Sequence, residues 1–112
     1  MKSIIELEKE RLEWSLKTFP DATAFSSLRK LEDEIKEVEL AFEHTTIDSF
    51  DKEALTEEYA DCLMCLFDSA GRTGISVEDI VQSFAIKLEK NKNRSWKKNA
   101  DNTYSHVKPV GS

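Results

Sequence analysis

Glycine and proline are scarce in this chain, at three and two among 112 residues. Turns must therefore be few and regular elements long, because these two residues are the usual breaks. No stretch approaches the roughly 20 apolar residues that span a bilayer. The opening segment, MKSIIELEKERLEW, is too charged for the apolar core of a signal peptide. A soluble, cytoplasmic protein with no membrane partner is the expectation. Positive charge is also short: 16 Lys and Arg face 22 Asp and Glu, for a net charge of −6. That balance argues against a nucleic-acid polymer as partner, since such binders carry a basic surface. A phosphorylated small substrate remains open if a metal ion supplies the positive charge. Two cysteines in an intracellular chain point to free thiols rather than a disulfide.

What is present is helical periodicity in a chain of one-domain length. Ile4, Ile5, Leu7, Leu12 and Trp14 sit among charges in a first, weakly amphipathic helix that should stop near Phe19-Pro20. A second helix, capped by Ser26 or Ser27, carries Leu28, Leu31, Ile35, Val38 and Phe42 at steps of three and four. His44 to Ser49 reads as a loop, after which Asp48, Ser49 or Asp51 can cap a third helix. Its stripe is Leu55, Tyr59, Cys62, Leu66 and Ala70, widened by Leu63 and Phe67. Gly71 and Gly74 should end it, and Ser76 with Asp79 resembles a capping box for a fourth helix burying Ile80, Phe84 and Leu88. No strand-like alternation is evident, and residues 97–112 read as a polar tail after a domain of residues 1–96. The predicted fold is all-α, a four-helix bundle.

Glu34 and Glu37 lie one turn apart and each directly precedes a stripe residue, Ile35 and Val38. The pair therefore sits about 100° around from the stripe, on its shoulder. Glu58 and Asp61 precede Tyr59 and Cys62 and hold the same shoulder on the third helix. If the stripes pack together, four carboxylates can converge at the edge of the seam. They would repel unless neutralised by hard divalent cations such as Mg²⁺ or Mn²⁺. Paired ions of that kind suit phosphoryl chemistry. The plain alternative is a solvated helix face: with 22 acids, such pairs arise by chance, and Glu10 with Glu13 is one.

Asp33-Glu34-Ile35-Lys36-Glu37 followed by Glu58-Tyr59-Ala60-Asp61 resembles the ExxE…ExxD signature of the all-α, MazG-like NTP pyrophosphohydrolases. Trp14-Ser15-Leu16-Lys17-Thr18-Phe19 resembles the WSxxTFG motif of their dATP/dGTP diphosphohydrolase branch, and residues 87–96, KLEKNKNRSW, resemble its KLxxNxxRxW. These pieces span about residues 11–96 in the right order. Pro20 stands where that branch commonly has Gly, and Asp33 where many relatives have Glu.

The resemblance implies cleavage of a purine (d)NTP, dGTP or dATP, between its α- and β-phosphates to give the monophosphate and pyrophosphate. It implies two or more Mg²⁺ ions, with Mn²⁺ able to substitute, held by Glu34, Glu37, Glu58 and Asp61. Glu34 or Glu37 would also orient or deprotonate the attacking water. Lys87, Asn91 and Arg94 would grip phosphate oxygens from one face of the last helix. The plain alternative for them is a basic helix C-terminus favoured by the macrodipole. Trp14 and Trp96 can each stack on a base or close the ends of the bundle, with Trp14 the better base contact.

The family's habit of forming dimers, or dimers of dimers, implies a homodimer or homotetramer that completes the core. A bacterial cell, or the host cytoplasm if phage-encoded, is the implied setting. Cys62 and Cys65 lack the second ligand pair of a zinc site and lie inside an apolar helix, so buried free thiols are expected. The competing class is a non-enzymatic helical interaction or regulatory module. It explains the stripes and the acidity but not the matched shoulder positions of the acids.

Overall fold

The computed structural model describes residues 1–43 and 51–108. They form α1 (Ile4–Thr18), α2 (Ala24–Glu43), α3 (Lys52–Arg72), α4 (Val77–Lys92), β1 (Ser95–Lys98) and β2 (Tyr104–Val107). The four helices are those expected, and none of the described helices is long and apolar enough to cross a membrane. The chain divides into two units, Met1–Glu78 and Asp79–Ser112.

In the first unit, side chains near the ends set the helix limits. Ser3 and Glu6 form a capping box at the start of α1, and the helix stops at Thr18, just before Phe19-Pro20. α2 begins at Ala24, ahead of the expected Ser26 or Ser27 cap. The Thr23 hydroxyl accepts from Ser26 N–H at 3.0 Å, and the Ser26 hydroxyl accepts from Thr23 N–H at 2.8 Å. Thr23 thus does the capping and Ser27 is left for another task. Asp51 caps α3 through Ala54 N–H at 3.0 Å. The other expected caps, Asp48 and Ser49, and the His44 to Ser49 loop lie outside the described residues.

Gly71 lies inside α3 rather than at its end, and a Cβ there would meet Leu12 Cδ1 and Cδ2 at 2.9 Å. The missing side chain lets α1 approach α3. The helix ends one residue later, at Arg72. Gly74 takes φ +86°, Gly74 N–H bonds Gly71 C=O and Ile75 N–H bonds Ala70 C=O, each at 3.0 Å. This is the Schellman pattern, and it needs a residue without a Cβ penalty at the left-handed position.

α2 and α3 make the main helix pairing, with α1 touching α3 more lightly. Ser27 meets Asp68 and Ala24 meets Ser69, whereas Glu34 meets Glu58 and Asp61. The start of α2 therefore lies along the end of α3, and the pair is antiparallel. The apolar stripes are only partly inside. Val38, Leu55 and Val77 are buried, but Ile35 and Phe42 on α2 and Tyr59, Leu63 and Leu66 on α3 stay exposed. The expected burial of α4 is corrected most strongly: Ile80 is half-buried, while Leu88 is exposed and Phe84 is 69% exposed. Polar residues have taken the contact faces instead. Glu8, Ser15, Ser27, Asp68 and Ser69 are all buried.

In the second unit, a hairpin occupies most of the expected tail. β1 and β2 are antiparallel, with Ser95 opposite Val107, Trp96 opposite His106, Lys97 opposite Ser105 and Lys98 opposite Tyr104. The turn is closed by Asn102 N–H to Asn99 C=O at 3.1 Å and Asn99 N–H to Thr103 C=O at 2.7 Å. Asn102 sits at φ +70°, the left-handed position that asparagine tolerates in three-residue hairpin loops. The segment Asn99-Ala100-Asp101-Asn102 was the available signal. The strands escape hydrophobic alternation because β1 is exposed along its whole length.

Candidate active site

The antiparallel seam brings Glu34 from α2 to Glu58 and Asp61 from α3. One carboxylate oxygen from each lies within 4.8 Å of the other two. Glu34 and Glu58 are half-buried and Asp61 is exposed. The Glu58 carboxyl is pushed above its usual range, first by desolvation and then by repulsion from Asp61, Glu37, Glu34 and Glu57. Glu37 thus acts on the cluster by its charge, although its oxygens fall outside the group of three. Three hard oxygen donors with mutual repulsion fit a hard divalent cation, which would turn that repulsion into attraction.

Among the described residues, the cation paired at the cluster is Lys30, whose Nζ lies 3.1 Å from Glu34 Oε1, one turn back on α2. That pairing, chiefly through its hydrogen bond, raises the Lys30 pKa. Cys62 and Cys65 are free thiols, each half-buried. Both are pushed up, first by burial and then mainly by the carboxylate of Glu34, so neither is poised as a thiolate.

Beside this cluster lies a centre that the sequence patterns did not single out. Asp68, 8% exposed, accepts at Oδ1 from Arg11 Nη1 at 2.9 Å and from Ser15 Oγ at 2.8 Å. At Oδ2 it accepts from Ser27 Oγ at 2.6 Å and Arg72 Nε at 2.8 Å. Arg11 also pairs with Glu8, and Arg72 reaches the carbonyls of Ala22 at 2.9 Å and Ser15 at 3.2 Å. Burial alone would push the Asp68 carboxyl up. The hydrogen bonds from Ser27, Arg72, Arg11 and Ser15 outweigh it and hold the group far below the usual carboxylate range. A signal did exist: Glu58, Asp61, Cys65, Asp68 and Arg72 step by three and four along α3, a second stripe beside the apolar one.

The network forms one wall of a cavity of about 350 Å³, lined also by Trp14, Phe19, Lys30, Met64 and Cys65. Trp14 is 57% exposed and meets Phe19 edge-on, with ring centroids 5.4 Å apart. A cavity of this size, with aromatic and charged residues in its lining, is within the range of small-molecule sites. Lys30 lines the cavity and also bonds Glu34, so cavity and carboxylates adjoin.

The remaining expected site residues lie in the second unit. Arg94 donates from Nη1 to Asn91 Oδ1 at 3.1 Å, and Trp96 Nε1 donates to Asn91 C=O at 3.0 Å. Asn91 therefore anchors the junction between α4 and the hairpin. Lys87 stands one turn before it on α4.

The four-helix fold matches that of the MazG-like pyrophosphohydrolases. A solved member, the cyanophage S-2L MazG-like pyrophosphohydrolase bound to dGDP and three catalytic Mn²⁺ ions per active site, matches with a TM-score of 0.71. The identity is 25%, and the match covers 96% of this chain and 100% of that one. More narrowly, residues 7–110 match the dATP/dGTP pyrophosphohydrolase family, and the chain belongs to it. A dATP/dGTP diphosphohydrolase of Salmonella phage PMBT28 is 31% identical over 105 residues, 94% of this chain. Those residues are 32% of that protein, so the chain spans about a third of the length of the curated relative it matches.

Proposed function

We propose that this chain is a metal-dependent nucleotide pyrophosphohydrolase that cleaves a purine deoxynucleoside triphosphate between its α- and β-phosphates. The observation that carries this reading is the convergence of Glu34, Glu58 and Asp61 across the α2–α3 seam. Divalent ions bound there, Mg²⁺ or Mn²⁺ and two or more of them, would offset phosphate charge and make a water more nucleophilic. Glu34, Glu58 and Asp61 would hold them, with Glu37 completing the set. Glu37 is the better candidate to orient or deprotonate the water, since its oxygens stand off from the group of three while its charge still acts on Glu58.

The Trp14 cavity would take the base, stacked on the indole, in either guanine or adenine form. Lys87, Asn91 and Arg94 would hold phosphate oxygens, from the same chain or from a neighbouring copy. A neighbouring copy also accounts for the apolar side chains left in water. With Val38, Leu55 and Val77 the only large apolar residues buried among the described residues, a homodimer or homotetramer would complete the core.

The test is an assay of the eight common ribo- and deoxynucleoside triphosphates with Mg²⁺ and with Mn²⁺, reading monophosphate and pyrophosphate. Turnover of dGTP or dATP to monophosphate and pyrophosphate is expected. No turnover with either metal would refute the enzyme, and orthophosphate in place of pyrophosphate would refute the cleavage position. Sedimentation of the purified chain as a monomer would refute the oligomer.

A further inference from the structure

Residues 87–108 carry seven Lys and Arg but only two acids, Glu89 and Asp101, in a chain whose net charge is −6. The hairpin gathers part of this charge at one place. His106 stands opposite Trp96 in the β1–β2 register, their rings 6.1 Å apart. Arg94 directly precedes β1, fixed by its bond to Asn91, and Lys108 directly follows β2. The imidazole of His106 is held below its usual pKa, first by desolvation and then by Arg94, Lys108 and Lys87. The charges that lower it are all positive.

Among the described residues no carboxylate lies in ion-pair range of Lys87, Arg94 or Lys108. The hairpin's own acid, Asp101, is committed at the turn, where it accepts from Thr103 N–H at 3.1 Å and from the Thr103 hydroxyl at 2.6 Å. Like charges brought together without an internal partner repel. An anion relieves that cost. Three cations and a histidine present hydrogen-bond donors suited to the several oxygens of a phosphoanhydride.

We propose that His106 and Lys108, carried by the hairpin, complete with Lys87 and Arg94 a binding site for the phosphate tail of the nucleotide. This rests on the reading of Lys87 and Arg94 as phosphate contacts and extends it to two residues outside the motif. Asn91 acts as a positioning residue, because it fixes the Arg94 guanidinium and the indole of Trp96 in β1. His106 would accept a proton as the phosphate arrives, adding a charge-assisted bond only when the site is filled.

The experiment is a titration of the full chain with inorganic pyrophosphate in EDTA, so that the carboxylates and any metal play no part. Saturable binding is expected, weakened by salt. His106→Gln and Lys108→Ser should each weaken it about tenfold, the worth of one charge-assisted hydrogen bond. In proton NMR, pyrophosphate should raise the pKa of the His106 imidazole, identified as the signal lost in His106→Gln. Far-UV circular dichroism and Trp96 fluorescence check that the hairpin persists in the variants.

Failure of the wild-type chain to bind pyrophosphate would overturn the site. So would a short single-stranded DNA that binds where pyrophosphate does not. If Lys87→Ser and Arg94→Ser lose binding while His106→Gln with Lys108→Ser keeps it, the hairpin has no part and the inference falls, leaving the helix contacts intact. Pyrophosphate binding with no turnover of any nucleotide would remove the enzymatic reading and leave the anion site standing.

Discussion

Two acidic centres lie seven residues apart on the same helix, Asp61 with Glu58 and then Asp68, and the protein treats them in opposite ways. Around Asp68 every acceptor position meets a hydroxyl or a guanidinium, two arginines balance two acids, and the carboxyl is held far down. Around Glu58 the neighbours are Asp61, Glu37, Glu34 and Glu57, and the carboxyl is pushed up. Among the described residues no buried side-chain nitrogen or oxygen is left without a partner, so the polar interior is complete at the first centre. A charge cluster that is compensated inside the chain has a structural task. One left with a single lysine, Lys30, against several acids at a half-buried seam still carries repulsion that a cation from outside would relieve.

The sharpest way to break this contrast is to remove a carboxylate from the second centre. Asp61→Asn or Glu34→Gln should abolish turnover, measured by pyrophosphate release, while the helical circular-dichroism signal survives. Without metal, such variants should melt no lower than the parent, since they relieve repulsion. A clear fall in the metal-free melting temperature would mean that the acids stabilise the fold and would blur the distinction.

Asp68→Asn should do the reverse. It leaves Arg11 and Arg72 short of a counter-charge and should cost about 3 kcal/mol of stability in denaturant titrations, with Mn²⁺ affinity little changed. A large loss of Mn²⁺ affinity in a folded variant would join the two centres into one.

Acid separates them by sign. Asp68 is depressed below its ordinary value of 3.8, so its stabilising contribution is complete above that pH and is lost as pH falls toward the folded pKa. Glu58 is raised above 4.5, so its charge opposes folding at neutral pH, and protonation relieves this as pH falls through the folded pKa. Metal-free unfolding measured from pH 7 to pH 2 should show a weakened acid loss in Asp68→Asn. In Glu58→Gln the small gain on entering acid should vanish.

Smaller effects test the surroundings. Gly71→Ala places a methyl 2.9 Å from the Leu12 side chain and should destabilise by about 1 kcal/mol, because Leu12 can shift at modest cost. Cys62→Ala with Cys65→Ala should leave turnover largely intact. Metal-dependent loss of activity in that double variant would return the thiols to the second centre.

Much of this could be read from the chain, for a physical reason that also sets the limit. Helix limits at Phe19-Pro20, Asp51 and Gly74 follow from caps and backbone preferences a few residues long. So does the pairing of acids one turn apart on α2 and α3, which predicted Glu34, Glu37, Glu58 and Asp61 as neighbours, of which the packing brings the oxygens of Glu34, Glu58 and Asp61 together. The Asp68 centre was harder to see because its partners, Arg11, Ser15 and Ser27, lie 41 to 57 residues away along the chain. Its polar stripe also reads as solvated surface until another helix covers it. The hairpin was missed because exposed strands carry no hydrophobic alternation, and only its turn residues mark it.

By itself, then, the sequence determined where the helices begin and end, which acids share a face, and which family the motifs resemble. These depend on spacing, capping and side-chain chemistry, all of them local. Only the tertiary structure decided which acids would be cancelled and which left exposed to a ligand. That choice depends on what the antiparallel packing of α2 on α3, with α1 alongside, brings within hydrogen-bond distance. Spacing can offer a carboxylate to a seam, but compensation is a property of the partners across it.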